Sequence, residues 1–408
     1  MPLWSLAPFS RPYLTTDGST APNERCIAYN ILSNQVLLVS RTNTVTGSTN
    51  PAIYVLNGDT GADLYQMNVD PSVVSGGINN NALSLNCNDV AGDGAVYAAN
   101  VGGDSSTSDF RLYYWANSGS STEPVNLFNG DPSGQDSGLR FGDSLAARGA
   151  GLSTQVLLDN STGTFGSILS PATTTITDPW AYGWFANVAL GTTGGRTLLF
   201  YGTDATFWEK HGGAGTLNLV SYSASANTST ILTNYPNVTG SPTLVAFNAA
   251  TNVLAAIDFA SSSSVPDTLD QYDMSDPSQP LFVRSYNFPV NHQANGNACG
   301  RVIFSGDRVY ALDSNNGMVA YRLEPILQIT PAPPNVVLSW SSEVTGYTLV
   351  ATPSLSTPTT WTNVSAGSTP KAEHGGQSSP ASRRNDDGKE LHGRAVGGQC
   401  SAPNRSGQ

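Results

Sequence analysis

The feature that most constrains this chain is a β-hairpin pattern that recurs along most of its length. The clearest copy is LNCNDVAGDGAVYAAN at residues 85–100, in which two apolar arms flank the turn residues Asp93 and Gly94. A glycine at such a position supplies the positive φ angle that a tight hairpin requires. Comparable units begin near residues 24, 84, 138, 183, 241 and 295. Their spacing of about 50 residues fits one four-stranded antiparallel sheet per unit.

Six such sheets predict an all-β fold, a β-propeller in which the inner strand of every sheet faces a central channel. Only 12% of the residues are charged, and 41 Gly and 25 Pro residues agree with many strands and turns. The N-terminal segment, which contains Trp4, is expected to complete the last sheet by pairing strands from both ends. Seven blades remain an alternative to six. The rival architectures are a β-sandwich and a β-helix, and the unit length disfavours both.

The character of the chain changes near its residue 325, which predicts a propeller over residues 1–325. Residues 326–366 alternate apolar and polar side chains, with Trp340 and Trp361 as expected core anchors. This segment resembles part of an immunoglobulin-like or fibronectin-like module of exported bacterial proteins. Residues 367–408 carry few apolar side chains, so we expect a disordered tail that reflects a frameshift or a cloning junction.

The charge balance restricts the partners of this chain. A net charge of −12 repels the phosphates of nucleic acids and of anionic lipids, so we expect neither as a partner. No apolar run of about 20 residues occurs, so no membrane span is predicted, and we expect a monomer. A surface rich in Ser, Thr, Asn and Gly is typical of exported bacterial proteins. It predicts a secreted or periplasmic location, although residues 1–14 lack the pattern of a signal peptide.

Motifs of nucleophilic hydrolases are missing from the sequence, since neither a GxSxG elbow nor an HExxH helix occurs. The body of the chain has two histidines, His211 and His292. For His292 we favour a loop residue that bonds to backbone over a catalytic base.

Three cysteines, Cys26, Cys87 and Cys299, are expected at similar depths on inner strands. We predict buried thiols rather than a disulfide. Closure of the ring between its first and last blades would make Cys26 and Cys299 neighbours.

Oxygen-bearing side chains recur where the inner strands begin. Aligning the hairpins by their turns places six of them near one rim of the channel: Glu24, Asn88, Asp89, Asp143, Asn187 and Asn297. Oxygen ligands that converge on one axis suit Ca²⁺, which takes about six to eight oxygen atoms and tolerates amides. A bound ion would polarise an ester or lactone carbonyl, with Asp89 as the base for the attacking water. The alternative is that Asn, Asp and Gly here simply build turns.

Two of these stretches resemble the metal cage of gluconolactonase-like six-bladed propellers. Glu24 in NERCIAYN and Asn88 in CNDVAGDGAVY match its first two ligands. Asp143 in RFGDSLA stands where that family has an amide, and Asn187 in WFANVAL is the remaining candidate, without an aligned Asp. The resemblance implies that these four residues hold Ca²⁺ as a cofactor. It also implies a hydrolase that opens lactone rings, including those of N-acyl-homoserine lactones, the reaction of quorum quenching.

Two other classes of function stay open. The first is a non-catalytic exported propeller that binds a polymer or a protein at the cell surface. The second is sugar hydrolysis by paired carboxylates, for which Asp89 and Asp143 are the pair we nominate as catalytic. Removal of metal by a chelator distinguishes the calcium-dependent lactonase from the binding module. The lactonase should lose its turnover of lactones, whereas the binding module has no turnover in either state.

Overall fold

The computed structural model describes residues 1–15, 22–43, 46–47, 49–77, 83–102, 108–134, 139–161, 164–187, 195–202, 204–211, 216–235, 238, 244–276, 278–324, 328–332, 335–341, 350–351, 362–363 and 388–393. The chain divides into two compact units, one of Pro2–Tyr321 and one of Met1 with Arg322–Gln408.

The larger unit is built from six four-stranded antiparallel sheets. Strand β1 (Pro2–Leu6) comes first in the chain. The strands of blade 1 are β2 (Glu24–Asn30), β3 (Gln35–Ser40), β4 (Ala52–Asn57) and β5 (Asp63–Gln66). Those of blade 2 are β6 (Cys87–Val90), β7 (Val96–Ala99), β8 (Phe110–Trp115) and β9 (Val125–Gly130). Those of blade 3 are β10 (Ala146–Arg148), β11 (Gln155–Asp159), β12 (Phe165–Pro171) and β13 (Trp180–Ala186), with a 3₁₀ turn at Gly151–Ser153.

The remaining blades have the same antiparallel order. Blade 4 contains β14 (Gly195–Phe200), β15 (Thr206–His211), β16 (Leu217–Ser223) and β17 (Thr228–Tyr235). Blade 5 contains β18 (Leu244–Asn248), β19 (Val253–Asp258), β20 (Pro266–Asp273) and β21 (Leu281–Asn291). Blade 6 contains β22 (Gly300–Ser305), β23 (Arg308–Asp313) and β24 (Gly317–Arg322).

The sheets close into a ring through their inner strands. Each of β2, β6, β10, β14, β18 and β22 contacts the inner strand of the next blade, and β22 contacts β2 again. The prediction of a six-bladed β-propeller is confirmed.

The N-terminal strand completes the last sheet, as expected. Strand β1 pairs antiparallel with β24, with Leu6 opposite Met318, and the order in blade 6 is β1-β24-β23-β22. Both ends of the propeller sequence therefore lie in one sheet, so the ring is held by backbone hydrogen bonds.

The hairpin at residues 85–100 forms as predicted. Strands β6 and β7 pair with Val90 opposite Val96. Gly94 has a φ of 82°, and its N–H donates to the Ala91 carbonyl oxygen at 2.9 Å. The turn therefore uses the positive φ angle that only glycine adopts without strain.

The core of the propeller lies between blades. Leu37 and Val55 of blade 1 pack with Val96, Tyr113 and Trp115 of blade 2, and all five side chains are buried. Burial of each such side chain contributes about 1.5–3 kcal/mol. Packing of this kind holds neighbouring blades together.

The smaller unit contains β25 (Gln328–Ala332), β26 (Asn335–Ser341), β27 (Val350–Ala351), β28 (Thr362–Asn363) and β29 (Gly388–Gly393), with sheet orders β25-β26-β29 and β27-β28. Strand β29 belongs to the segment expected to be disordered, and most of residues 342–408 lie outside the described residues. The domain boundaries, the immunoglobulin-like module and the disordered tail stay predictions. Over the described parts of the chain, no helix is long and apolar enough to cross a bilayer.

Candidate functional site

The predicted site residues mark the end of the channel at which the inner strands begin, which we call the polar rim. Glu24 begins β2, and Asn88 with Asp89 lies within β6. Asp143 precedes β10 by three residues, and Asn187 directly follows β13. Asn297 precedes β22 by three residues. The predicted unit start near residue 183 is wrong, because Asn187 follows the outermost strand of blade 3 and the inner strand of blade 4 is β14.

An arginine that sequence reasoning missed crosses the channel at this rim. The Nη2 group of Arg301, on β22 of blade 6, donates to Asp89 Oδ2 of blade 2 at 2.8 Å. Its Nη1 group donates to the carbonyl oxygen of Asn88, and the Ala147 N–H of blade 3 donates to Asp89 Oδ2 at 2.8 Å. Burial lowers the pKa of Arg301, but the charge and hydrogen bond of Asp89 together with the neighbouring Cys26 and Cys87 outweigh it, and the pKa is raised. Asp89 is therefore one half of a buried ion pair.

Two thiols lie beside this ion pair. Cys26, Cys87 and Cys299 are free and buried, which confirms the prediction of thiols. The neighbour of Cys26 is Cys87, whose hydrogen bond, together with the charge of Arg301, lowers the pKa of Cys26 to about 6. The same hydrogen bond and burial raise the pKa of Cys87. The Cys87 Sγ also lies 3.0 Å from the carbonyl oxygen of Asp143.

Glu24 joins blade 1 to blade 6. Its Oε1 accepts a hydrogen bond from the Asn315 N–H at 2.9 Å, and its Oε2 accepts from the Thr15 N–H and hydroxyl at 3.2 and 3.1 Å. The side chain is fully buried, and burial raises its pKa. Both carboxylate oxygens therefore already have donors.

The other two candidate ligands are also engaged. Arg140 donates from Nε and Nη2 to the two carboxylate oxygens of Asp143, at 2.7 and 2.6 Å. Asn187 donates from Nδ2 to Glu209 Oε2 at 2.9 Å. Glu209 is fully buried, and burial together with the charge of Asp159 raises its pKa well above the ordinary value.

The donor set fits a divalent cation poorly as a whole. Asn88 suits one best, because its Nδ2 donates to the Leu37 carbonyl oxygen while its buried Oδ1 accepts no hydrogen bond from any described residue. The oxygens of Glu24 and Asp143 instead face donors, and the guanidinium of Arg301 lies beside Asn88. Among the described residues, no three His, Cys, Asp or Glu side chains are grouped so that they could hold a metal. The calcium site stays a prediction.

A second polar network lies where blades 5 and 6 meet. His292 follows β21, and its Nδ1 lies 2.8 and 3.0 Å from the two carboxylate oxygens of Asp267 at the start of β20. The carboxylate is 0% exposed and the imidazole 22% exposed. Asp313 Oδ1 accepts from Asn295 Nδ2 at 2.9 Å. Burial and the nearby charge of Asp267 raise the pKa of Asp313 well above its ordinary value.

The prediction that His292 bonds to backbone is wrong for its ring, whose partner is a buried carboxylate. No local motif joins the pair, because His292 and Asp267 meet only through the pairing of β20 with β21, in which Pro266 lies opposite Asn291. The other histidine of the body, His211, ends β15, and its side chain lies outside the described residues.

We expect Asp313 to make the propeller less stable as the pH rises. A raised pKa in the folded state means that the folded chain binds more protons than the unfolded chain above the ordinary value of 3.8. The free energy of unfolding therefore falls with rising pH across the window up to the folded-state pKa. Asp313→Asn mimics the neutral acid and should flatten this fall, measured by urea unfolding from about pH 5 to about pH 8. An unchanged slope in the variant would contradict the assignment.

Comparison with known proteins gives likeness at the level of the fold. No family model matches the chain, and no curated protein matches it. A "putative gluconolactonase" has 12% identity and a TM-score of 0.48, over 79% of this chain and 96% of that one. A luciferin-regenerating enzyme has 11% identity and a TM-score of 0.47 over the same shares. The Cps50 (Swd1) β-propeller domain of Myceliophteria thermophila has 10% identity and a TM-score of 0.43, over 74% of this chain and 83% of that one. These sequence identities and TM-scores are too low to support any conclusion about activity.

Proposed function

We propose that this chain is a hydrolase that opens lactone rings, and that His292 is the base that takes a proton from the attacking water. The observation that carries the proposal is the contact of His292 Nδ1 with the fully buried carboxylate of Asp267. A carboxylate at Nδ1 favours the tautomer with the proton on that nitrogen, which leaves Nε2 as an acceptor. The imidazole is 22% exposed, and the proposal requires that water reaches Nε2 from this exposed side.

The surroundings of the pair support this role. The Ala260 N–H donates to Asp267 Oδ1 at 2.6 Å, which holds the carboxylate in place beside the imidazole. The neighbouring carboxyl group is that of Asp313, whose pKa is raised by burial and by its contact with Asp267. A carboxylate in the position of Asp267 stabilises an imidazolium as it forms.

Neutral cyclic esters are the substrates we propose, from short-chain lactones to N-acyl-homoserine lactones. The net charge of −12 disfavours the approach of anionic substrates but not of neutral ones. We also propose that the protein is a monomer and that it is secreted or periplasmic. The competing form of the same function keeps Ca²⁺ on Glu24, Asn88, Asp143 and Asn187, with Asp89 as the base.

A ring-opening assay tests the proposal. Acid release from a short-chain and a long-chain acyl lactone is measured for the wild type after dialysis against chelator, with and without added Ca²⁺. We expect turnover in both states and a loss of about 10²–10⁴-fold in kcat/KM for His292→Gln and Asp267→Asn. The same exchange at the other histidine, His211→Gln, is the matched control and should leave kcat/KM within a factor of about two. Melting temperatures verify that each variant is folded.

Other outcomes decide between the alternatives. Activity that disappears on chelation, returns with Ca²⁺ and is abolished by Asn88→Ala would contradict catalysis by His292. It would favour the calcium-dependent mechanism instead. An absence of turnover on every lactone, with and without Ca²⁺, would overturn the hydrolase and favour a propeller that binds a polymer or a protein.

A further inference from the structure

Arg25, at the polar rim, is a buried cation without a carboxylate partner among the described residues. It lies on β2, the inner strand of blade 1, and is 5% exposed. Its Nε donates to Asn86 Oδ1 at 2.7 Å. Within the described residues, no oxygen accepts from its two terminal amino groups. A cation in such a place is costly unless an anion joins it.

The backbone and one amide hold Arg25 in position. The register of β2 and β3 shifts between Glu24 and Cys26, so Arg25 is the extra residue of a β-bulge, a feature that redirects a side chain. Asn86 is itself buried, and its Nδ2 donates to the Gly142 carbonyl oxygen at 2.7 Å. Its Oδ1 is thereby turned toward Arg25. The guanidinium is thus held before any ligand arrives.

The other two arginines named at the rim have carboxylate partners of their own. Arg301 is paired with Asp89, and Arg140 with Asp143. The carboxylate of Glu24, adjacent in sequence to Arg25, receives its hydrogen bonds from Thr15 and Asn315 instead. Of these three arginines, Arg25 is the one that bonds no carboxylate among the described residues, which suits a ligand with one negative charge.

We propose that the polar rim binds a small monocarboxylate on Arg25. The two terminal amino groups of a guanidinium form a planar fork that matches the two oxygens of a carboxylate. Neither group is among the fully buried polar atoms without a hydrogen-bond partner, so both keep some contact with solvent. This binding does not depend on the hydrolase, although the hydroxy acid from an opened lactone belongs to the same ligand class.

Calorimetric titration at low ionic strength tests this proposal on the full chain. The probes are 4-hydroxybutanoate, its neutral amide and inorganic phosphate. We expect the carboxylate to bind the wild type, the amide not to bind, and phosphate to bind more weakly than the carboxylate. Arg25→Met, which keeps the length of the side chain but not its charge, should weaken binding at least about tenfold. Arg11→Met is the matched control, because Arg11 forms an ion pair with Asp63, and it should bind like the wild type.

Arg25→Lys keeps the charge without the fork and covers the case in which Arg25→Met does not fold. We expect it to bind 4-hydroxybutanoate more weakly than the wild type does. Equal binding by wild type and Arg25→Lys, or an equal loss in Arg11→Met, would overturn the proposal. The same holds if the wild type binds none of the probes, or binds phosphate in preference to the carboxylate. None of these results bears on lactone turnover, so the two proposals fail separately.

Discussion

Replacement of Arg301 by methionine is expected to lower the free energy of unfolding by about 3 kcal/mol. The guanidinium is the counter-ion of Asp89, and the two side chains are only 10% and 17% exposed. Without it, the carboxylate keeps hydrogen bonds from the Ala147 and Val90 N–H groups but loses its compensating charge, and the carbonyl oxygen of Asn88 loses a donor. Removing one partner of a buried pair costs more than the pair itself contributes.

The double variant and a surface control make this test specific. Arg301→Met combined with Asp89→Asn should recover most of the lost stability, because the amide carries no charge to compensate. Arg308→Met breaks an ion pair with Asp59, whose side chain is half exposed, and should cost less than about 1 kcal/mol. Urea unfolding measures all three variants. Equal losses for Arg301→Met and Arg308→Met would contradict the buried ion pair across the channel.

Most of the fold was predictable because each blade is encoded locally. The turn at Asp93 and Gly94 and the apolar arms beside it lie within one stretch of 16 residues, 85–100, and a hairpin depends on little else. Six copies of such a unit leave few architectures besides a ring. Closure by β1 also followed, because a three-stranded last unit needs a fourth strand from elsewhere.

The starts of the inner strands near Glu24, Asn88 and Asp143 followed from the same local pattern, but most of the partners of these side chains did not. Arg301 lies 212 residues from Asp89, and Asn315 lies 291 residues from Glu24. The ring brings blade 6 next to blade 1, where Asn315 meets Glu24, and within reach of blade 2, where Arg301 meets Asp89. Periodicity gives the start of an inner strand but not which side chain reaches across the channel.

One pairing was available to sequence reasoning and was missed. Arg140 and Asp143 are three residues apart in RFGD, a spacing at which an arginine can bond its own carboxylate in a turn. The metal hypothesis treated Asp143 as a free oxygen donor because the resemblance directed attention to carboxylates alone. Counting the cations close in sequence to each proposed ligand would have weakened that assignment.

Gly142, between that arginine and that aspartate, is where we expect the largest loss of stability from a single methyl group. Its φ is +94°, and a Cβ atom there would lie 1.8 Å from the carbonyl oxygen of Asn100. Because the obstructing atom is backbone, the connection into β10 must move, and Gly142→Ala should cost about 4 kcal/mol or more. The same shift would displace the Gly142 carbonyl oxygen from Asn86 and so release Arg25.

The variant Gly151→Ala separates the cost of the steric contact from the cost of the positive φ angle. Gly151 also has a positive φ, of +50°, but no atom lies within 4 Å of the added Cβ. This variant should cost only about 1–2 kcal/mol, the strain of a left-handed residue. Urea unfolding of both variants measures the difference, which is the cost of the contact with Asn100. Equal losses in the free energy of unfolding would mean that the segment before β10 moves aside at little cost. A segment that moves so easily could not hold Asn86 and Arg25 in place for an anion.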